Sequence, residues 1–166
     1  MTTEVDSRDN TSSLSINLGR LLLELGRDYE RRVMELLHDR GHPLIRPSHF
    51  TVFANLSEGA VRVTELAERA HVTQQAMGKM LKEMERIGYI VRDIDGSDRR
   101  AKKIRPTQRG LDLMRDSAIV TSEVRGFYLE QVGQEALSEL ENCLSNCVSR
   151  MDLTSINSWS EDSRVA

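Results

Sequence analysis

Residues 63–110 read VTELAERAHVTQQAMGKMLKEMERIGYIVRDIDGSDRRAKKIRPTQRG, and the change of periodicity along them decides the fold. Thr64 is placed to cap a helix that turns Leu66, Ala67 and Ala70 inward, since a hydroxyl there can accept from the free amides of a first turn. After a tight connection at His71 and Val72, Thr73 caps another helix that runs to about Ile87 and stops at Gly88. Two short helices joined by a three- or four-residue turn, with a small residue such as Ala67 where they cross, make the helix-turn-helix pattern. Beyond Gly88 the helical period gives way to alternation, with Tyr89, Val91 and Asp93 on one face and Ile90, Arg92 and Ile94 on the other. A polar tip from Asp95 to Arg100 and a second extended stretch from Lys102 to Pro106 complete a β-hairpin, or wing. Pro106 has no backbone donor and belongs at its end.

Working outward, residues 1–13 are rich in Ser, Thr, Asp and Asn and read as a disordered arm. From Leu14 through Leu18, Leu21, Leu22, Leu25, Tyr29, Val33, Leu36 and Leu37, apolar residues recur at three- and four-residue steps, the period of one long amphipathic helix ending near Gly41. Pro43 and Pro47 mark a loop, after which Ser48 is expected to cap a short helix carrying Phe50, Phe53, Ala54 and Leu56, stopped by Gly59. Downstream of the wing, Thr107 caps a long helix through Leu111, Leu113, Met114, Ala118, Ile119, Val120, Val124 and Phe127. A last helix follows around Leu137, Leu140, Leu144 and Val148. The expected fold is mainly α with a small β-hairpin, a winged helix-turn-helix core flanked by N- and C-terminal dimerisation helices. Its divisions are an arm (1–13), an N-terminal dimerisation helix (14–42), the winged module (48–107), C-terminal dimerisation helices (108–152) and a tail (153–166). The long end helices flank a module that is already complete, so a second copy of the chain is what remains for them to bury against.

The chain has 166 residues, ordinary hydrophobic content and few Pro and Gly, as a soluble helical domain does. No run of about 20 apolar residues exists to span a membrane, and the polar start is no signal peptide, so no membrane partner and a cytoplasmic address are expected. Cys143 and Cys147 are too few for a disulfide framework or a four-cysteine metal site, and read as two small buried residues on one helical face. The net charge is −3, but its distribution is uneven. From Arg62 to Arg109 twelve basic residues face seven acids, a surplus of five, so the flanks together carry −8. A basic centre between acidic flanks suits a localised polyanion site.

The helix opened by Thr73 turns Met77, Met80, Leu81 and Met84 to the core. Its other face carries Gln74, Gln75, Gly78, Lys79, Lys82 and Arg86. Gln can pair with adenine edges in a major groove, Lys reaches guanine or phosphate, Gly78 admits close backbone approach, and the helix N-terminus offers free amides to phosphate. An ordinary solvated face is the bland reading of the same residues. The wing favours the first: from Arg99 to Gly110 there are six basic residues and no acid, and an Arg-bearing tip fits a minor groove. Asp98 can hold a neighbouring Arg in a fixed geometry. The candidate DNA contacts are thus Arg62, Thr73, Gln74, Gln75, Gly78, Lys79, Lys82, Asp98, Arg99, Arg100 and Lys102.

These residues resemble the MarR family of bacterial transcriptional regulators. The matching runs are Val63-Thr64-Glu65-Leu66-Ala67, Val72-Thr73-Gln74-Gln75, Gly88-Tyr89-Ile90 and Asp98-Arg99-Arg100, followed by Ile104, Thr107 and Gly110. The sequence departs from the family at Pro106, where Leu is usual, and at Ser97, where a second wing Arg is common. The resemblance implies a homodimer with intertwined end helices, Arg100 in the minor groove and helix 73–87 in the major groove of double-stranded DNA. It also implies a repressor relieved by a small aromatic or anionic effector, with Tyr29, Arg46 and His49 near the junction where such ligands bind. A capping or surface set around Ser48 is the plainer reading of those three. No cofactor is implied.

Two rivals remain. For an enzyme, the four His are scattered without metal-site spacing, and no phosphate-cradling loop or nucleophile elbow is present. A winged module can instead serve a protein partner, but such a module has no need of six bases on a hairpin beside a Gln- and Lys-bearing helix.

Overall fold

In the computed structural model, which describes residues 17–56, 61–94, 102–151 and 153, the chain order is α1 (Leu18–Asp39), α2 (Pro47–Asn55), β1 (Val61–Arg62), α3 (Val63–Arg69), α4 (Gln74–Arg86), β2 (Ile90–Ile94), β3 (Lys102–Pro106), α5 (Gln108–Val132) and α6 (Gln134–Arg150). The expected arm, the wing tip with Asp98, Arg99 and Arg100, the stop at Gly59 and the tail with Trp159 lie outside the described residues. Mainly α with a small antiparallel sheet, this is a winged helix-turn-helix fold with long helices at both chain ends.

Thr73 and Thr107 cap as their chemistry dictates: Thr73 Oγ1 accepts from the Ala76 amide at 3.1 Å and Thr107 Oγ1 from the Gly110 amide at 3.1 Å. Two expected caps are not formed. Pro47 takes the first position of α2, where its missing N–H costs nothing, so Arg46 becomes the cap residue and Ser48 lies inside the helix. His49 completes that cap, its Nδ1 accepting from the Arg46 amide at 3.2 Å. Likewise α3 begins at Val63, directly after a two-residue strand, which puts Thr64 inside the helix and leaves Arg62 at the cap. That strand, absent from the sequence reading, makes the hairpin a three-stranded sheet of order β1-β3-β2, with Val61 opposite Ile104 and Ile90 opposite Pro106.

The core gathers Val52 and Phe53 of α2, Leu66 of α3, Met77, Leu81 and Met84 of α4, Tyr89, Ile90 and Ile104 of the wing and Leu113 of α5, all buried. At about 1.5–3 kcal/mol for each fully buried large side chain, this cluster fixes α4 and the sheet as one body. The α3–α4 turn passes through His71 at φ 50, and the Val72 amide donates to the Ala67 carbonyl at 3.0 Å. The long helices behave differently. Of α1 only Leu37 is buried, and of α6 only Leu137. Leu18 is 73% exposed, and Leu21, Leu22, Leu25, Leu140 and Leu144 are exposed as well. Cys143 and Cys147 are also exposed, contrary to the burial expected of them, because among the described residues no element covers that face of α6. An Asp28 hub fastens α1 to α5. Its Oδ2 accepts from Arg32 at 2.7 Å and from the Tyr128 hydroxyl at 2.9 Å. Hydrogen bonds from Arg32, Arg31 and Tyr128, in that order, hold the Asp28 carboxyl well below the usual carboxylate range.

Candidate nucleic-acid interface

Because Met77, Leu81 and Met84 face the core with no exposure, helical geometry turns the opposite side of α4 outward. Thr73, Gln74, Gln75, Lys79 and Lys82 are exposed there and Gly78 is half-buried. A Cβ at Gly78 would meet nothing within 4 Å, so the glycine leaves a dent in the exposed surface that no internal packing requires. Neither lysine is held in an ion pair among the described residues. Their charge faces solvent on a helix whose capped N-terminus adds a partial positive end.

The wing stands beside this face. Arg62, exposed, lies on β1 opposite Lys103 of β3, and Lys103 is opposite Asp93 of β2. Asp93 is engaged by Arg105, whose Nε donates to Oδ2 at 2.6 Å. Arg92, on the inner side of β2, lies with its Nε 3.0 Å from Glu85 near the end of α4, in an alignment that leaves that nitrogen without a hydrogen bond. This ion pair ties the wing to α4. Lys102 opens β3 at the edge of the wing tip. The structure thus groups Arg62, α4's polar residues and the base of the wing on one body, while Asp98, Arg99 and Arg100 lie outside the described residues.

The candidate effector residues divide. Arg46 and His49 converge on Glu83 of α4: Arg46 Nη1 is 3.3 Å from Oε1, and His49 Nε2 is 3.6 Å from Oε2. That second distance is an ion-pair distance and too long for a hydrogen bond, so buried His49 Nε2 stays unsatisfied. Burial lowers the His49 pKa, and only partly is this opposed by Glu83. Tyr29 stacks instead on Tyr128, ring centroids 6.5 Å apart. An open cleft of about 240 Å³ lies beside Arg46, lined also by His38, Leu44, Glu83 and Arg86. Sequence reasoning missed Glu83, Glu85 and Arg92. In the sequence Glu83 and Glu85 count only among the seven acids of the basic centre, and the tertiary fold is what shows that each takes a basic partner from another element. Among the described residues no three His, Cys, Asp or Glu converge to hold a metal. No helix there is long and apolar enough to cross a membrane.

Residues 46–102 match the sequence model of the MarR family. The fold is similar to that of the reduced form of MarR from E. coli, at 21% identity and a TM-score of 0.67 over 80% of this chain and 97% of that one. It is similar as well to YusO from Bacillus subtilis, at 21% identity and a TM-score of 0.62 over 86% of this chain and 98% of that one. CouR from Rhodococcus jostii RHA1, solved bound to p-coumaroyl-CoA, is 24% identical with a TM-score of 0.59 over 81% of this chain and 93% of that one. No curated protein matches the chain.

Proposed function

We propose that the chain, whose residues 46–102 match the MarR family model, is a transcriptional regulator of that family, a homodimeric repressor that reads a pseudo-palindromic DNA operator and is released from it by a small ligand. The observation that carries this reading is the outward face of α4, where Gln74, Gln75, Lys79 and Lys82 stand exposed beside a basic wing. In a major groove the two glutamines pair with base edges, Lys79 and Lys82 neutralise phosphate, and Gly78 lets the backbone come close. Thr73 presents the helix N-terminus, Arg62 and Lys102 flank it, and Arg99 and Arg100, oriented by Asp98, enter the adjacent minor groove.

The exposed leucines of α1 and α6 support the dimer. One winged module makes too few contacts for specific binding at cellular salt, and a two-fold pair supplies both the missing affinity and the symmetry of the site. The two α4 helices then lie about 34–36 Å apart on one face of the duplex. For the effector we favour an aromatic or anionic small molecule, in line with the p-coumaroyl-CoA bound by the CouR relative. In the cleft beside Arg46 an anionic group competes with Glu83 for the guanidinium, next to His49, and Tyr29 on the α1–α5 face offers an aromatic surface.

Selection from a random DNA pool by the purified protein, followed by sequencing, tests the reading. The expected product is a pseudo-palindrome with half-sites one helical turn apart. A pool that stays random after several rounds overturns it, and leaves a protein-binding winged module as the account of the same fold.

A further inference from the structure

We infer that His42 is a positioning residue for DNA binding: bridging Tyr89 and Asp116, it sets the angle at which α4 and the wing are held on the long helices. The inference rests on the DNA-binding reading above and adds to it a joint outside the DNA-contacting surface.

His42, in the α1–α2 connection, is 4% exposed and uses both ring nitrogens. Nε2 lies 2.9 Å from Asp116 Oδ2 and Nδ1 lies 2.9 Å from the Tyr89 hydroxyl. A carboxylate only accepts, so Nε2 carries a proton. In the neutral ring Nδ1 then accepts from Tyr89, giving a one-way chain from Tyr89 through His42 to Asp116. Burial raises the Tyr89 phenol above its ordinary value, which keeps that hydroxyl a donor. The three residues come from three bodies. Asp116 is on α5, beside Arg40, 3.9 Å away at the end of α1, and Tyr89 is the buried residue between α4 and β2.

The surroundings make Tyr89 the point on which α4 and the wing hang. The Arg109 guanidinium lies 4.6 Å over its ring and donates to the Ile87 and Gly41 carbonyls, at the ends of α4 and α1. The Thr107 amide donates to the Tyr89 carbonyl at 3.0 Å. With 13 residues, α4 extends about 20 Å from this joint at 1.5 Å per residue. A tilt of about 10° at Tyr89 therefore moves Gln74 by roughly 3.5 Å, close to one base step of 3.4 Å per strand. A joint that only added stability would not need to hold an angle; one that sets half-site register would.

Spin labels on Glu30→Cys and Gln74→Cys, in a Cys143→Ser, Cys147→Ser background diluted with unlabelled protein, report the α1-to-α4 distance within one protomer. The expected parent distribution is single and narrow. Tyr89→Phe, which keeps the ring under Arg109 and removes only the hydroxyl, should broaden it by about 3 Å, as should His42→Gln. Asp116→Asn, which can still accept from Nε2, should stay near the parent. In parallel, unlabelled protein with its native cysteines is assayed against operators whose half-site spacing is changed by one base pair. The parent should lose at least about tenfold in affinity and Tyr89→Phe clearly less. Equal widths in parent, Tyr89→Phe and His42→Gln, with only thermal stability changed, overturn the inference whether or not DNA binds. A parent that binds no DNA while the widths respond as expected overturns the DNA reading and leaves an angular joint in the fold.

Discussion

Gly110→Ala should destabilise the protein, although helix propensity alone predicts the opposite. Gly110 is in the first turn of α5, where Ala is worth up to about 1 kcal/mol over Gly. A Cβ at this position, however, falls well within the 3.0 Å that real Cβ atoms essentially never breach, against the Tyr89 carbonyl oxygen, and 3.1 Å from Pro106 Cβ. Backbone cannot swing aside as a side-chain tip can, so the start of α5 must retreat by on the order of 1 Å. That retreat breaks the hydrogen bond from the Thr107 amide to Tyr89 O, now 3.0 Å, for about 1 kcal/mol. Overpacking adds about 1–3 kcal/mol. Net of the propensity gain, the loss is about 1–3 kcal/mol, or a midpoint lower by roughly 2–12 °C for a chain of this size. Thermal unfolding followed by circular dichroism measures it. A midpoint equal to or above the parent's would refute the close approach of α5 to the α4–β2 turn.

Gly78→Ala is the converse case: its Cβ meets nothing within 4 Å, so the free protein should gain about 0.5–1 kcal/mol while operator affinity falls, both readable from melts and binding isotherms on one preparation. His49 gives a pH signature. Its folded pKa is lowered by burial, so below the ordinary value of about 6.5 the unfolded chain binds the proton that the folded one refuses. His49's share of stability is therefore complete above that value and declines as pH falls below it, by at most about 1.4 kcal/mol per pH unit. His49→Gln should flatten the dependence of the midpoint between pH 7 and 5, and an unchanged slope would exclude His49 as its source. Leu22→Asp or Leu144→Asp, at positions 46% and 38% exposed in the protomer, should each weaken the dimer more than about a hundredfold in sedimentation equilibrium, since symmetry doubles a loss of about 1.5–3 kcal/mol.

Local signals were legible in the sequence where a single residue type carries the chemistry. Thr73 and Thr107 cap their helices, Gly41 and Gly88 end theirs at positive φ, and the Met77-Leu81-Met84 face of α4 is buried. Where two local signals competed, the weaker one was chosen. Ser48 is a good cap residue, but Pro47 before it fixes the helix start one residue earlier. Thr64 loses its cap role because Val61 and Arg62 pair with β3, and a two-residue strand has no period to read. Long-range partnerships left no trace. His42, Tyr89 and Asp116 are 47 and 74 residues apart along the chain, and Glu83 collects Arg46 and His49 only once α2 has packed on α4. The exposure of Cys143 and Cys147 was illegible for another reason, since an apolar helical stripe reads the same whether its cover lies in the protomer or in a second copy.

Fluorescence anisotropy of the purified protein on labelled DNA from its own upstream region, titrated with salt beside an Arg100→Ala variant, decides whether the protein is a DNA-binding regulator. A DNA-binding regulator should show specific binding at about 10 nM or tighter, a log–log salt slope of about −5 or steeper from several neutralised phosphates, and weak binding by the variant. Feeble binding, equal on unrelated DNA and unchanged by Arg100→Ala, would contradict it.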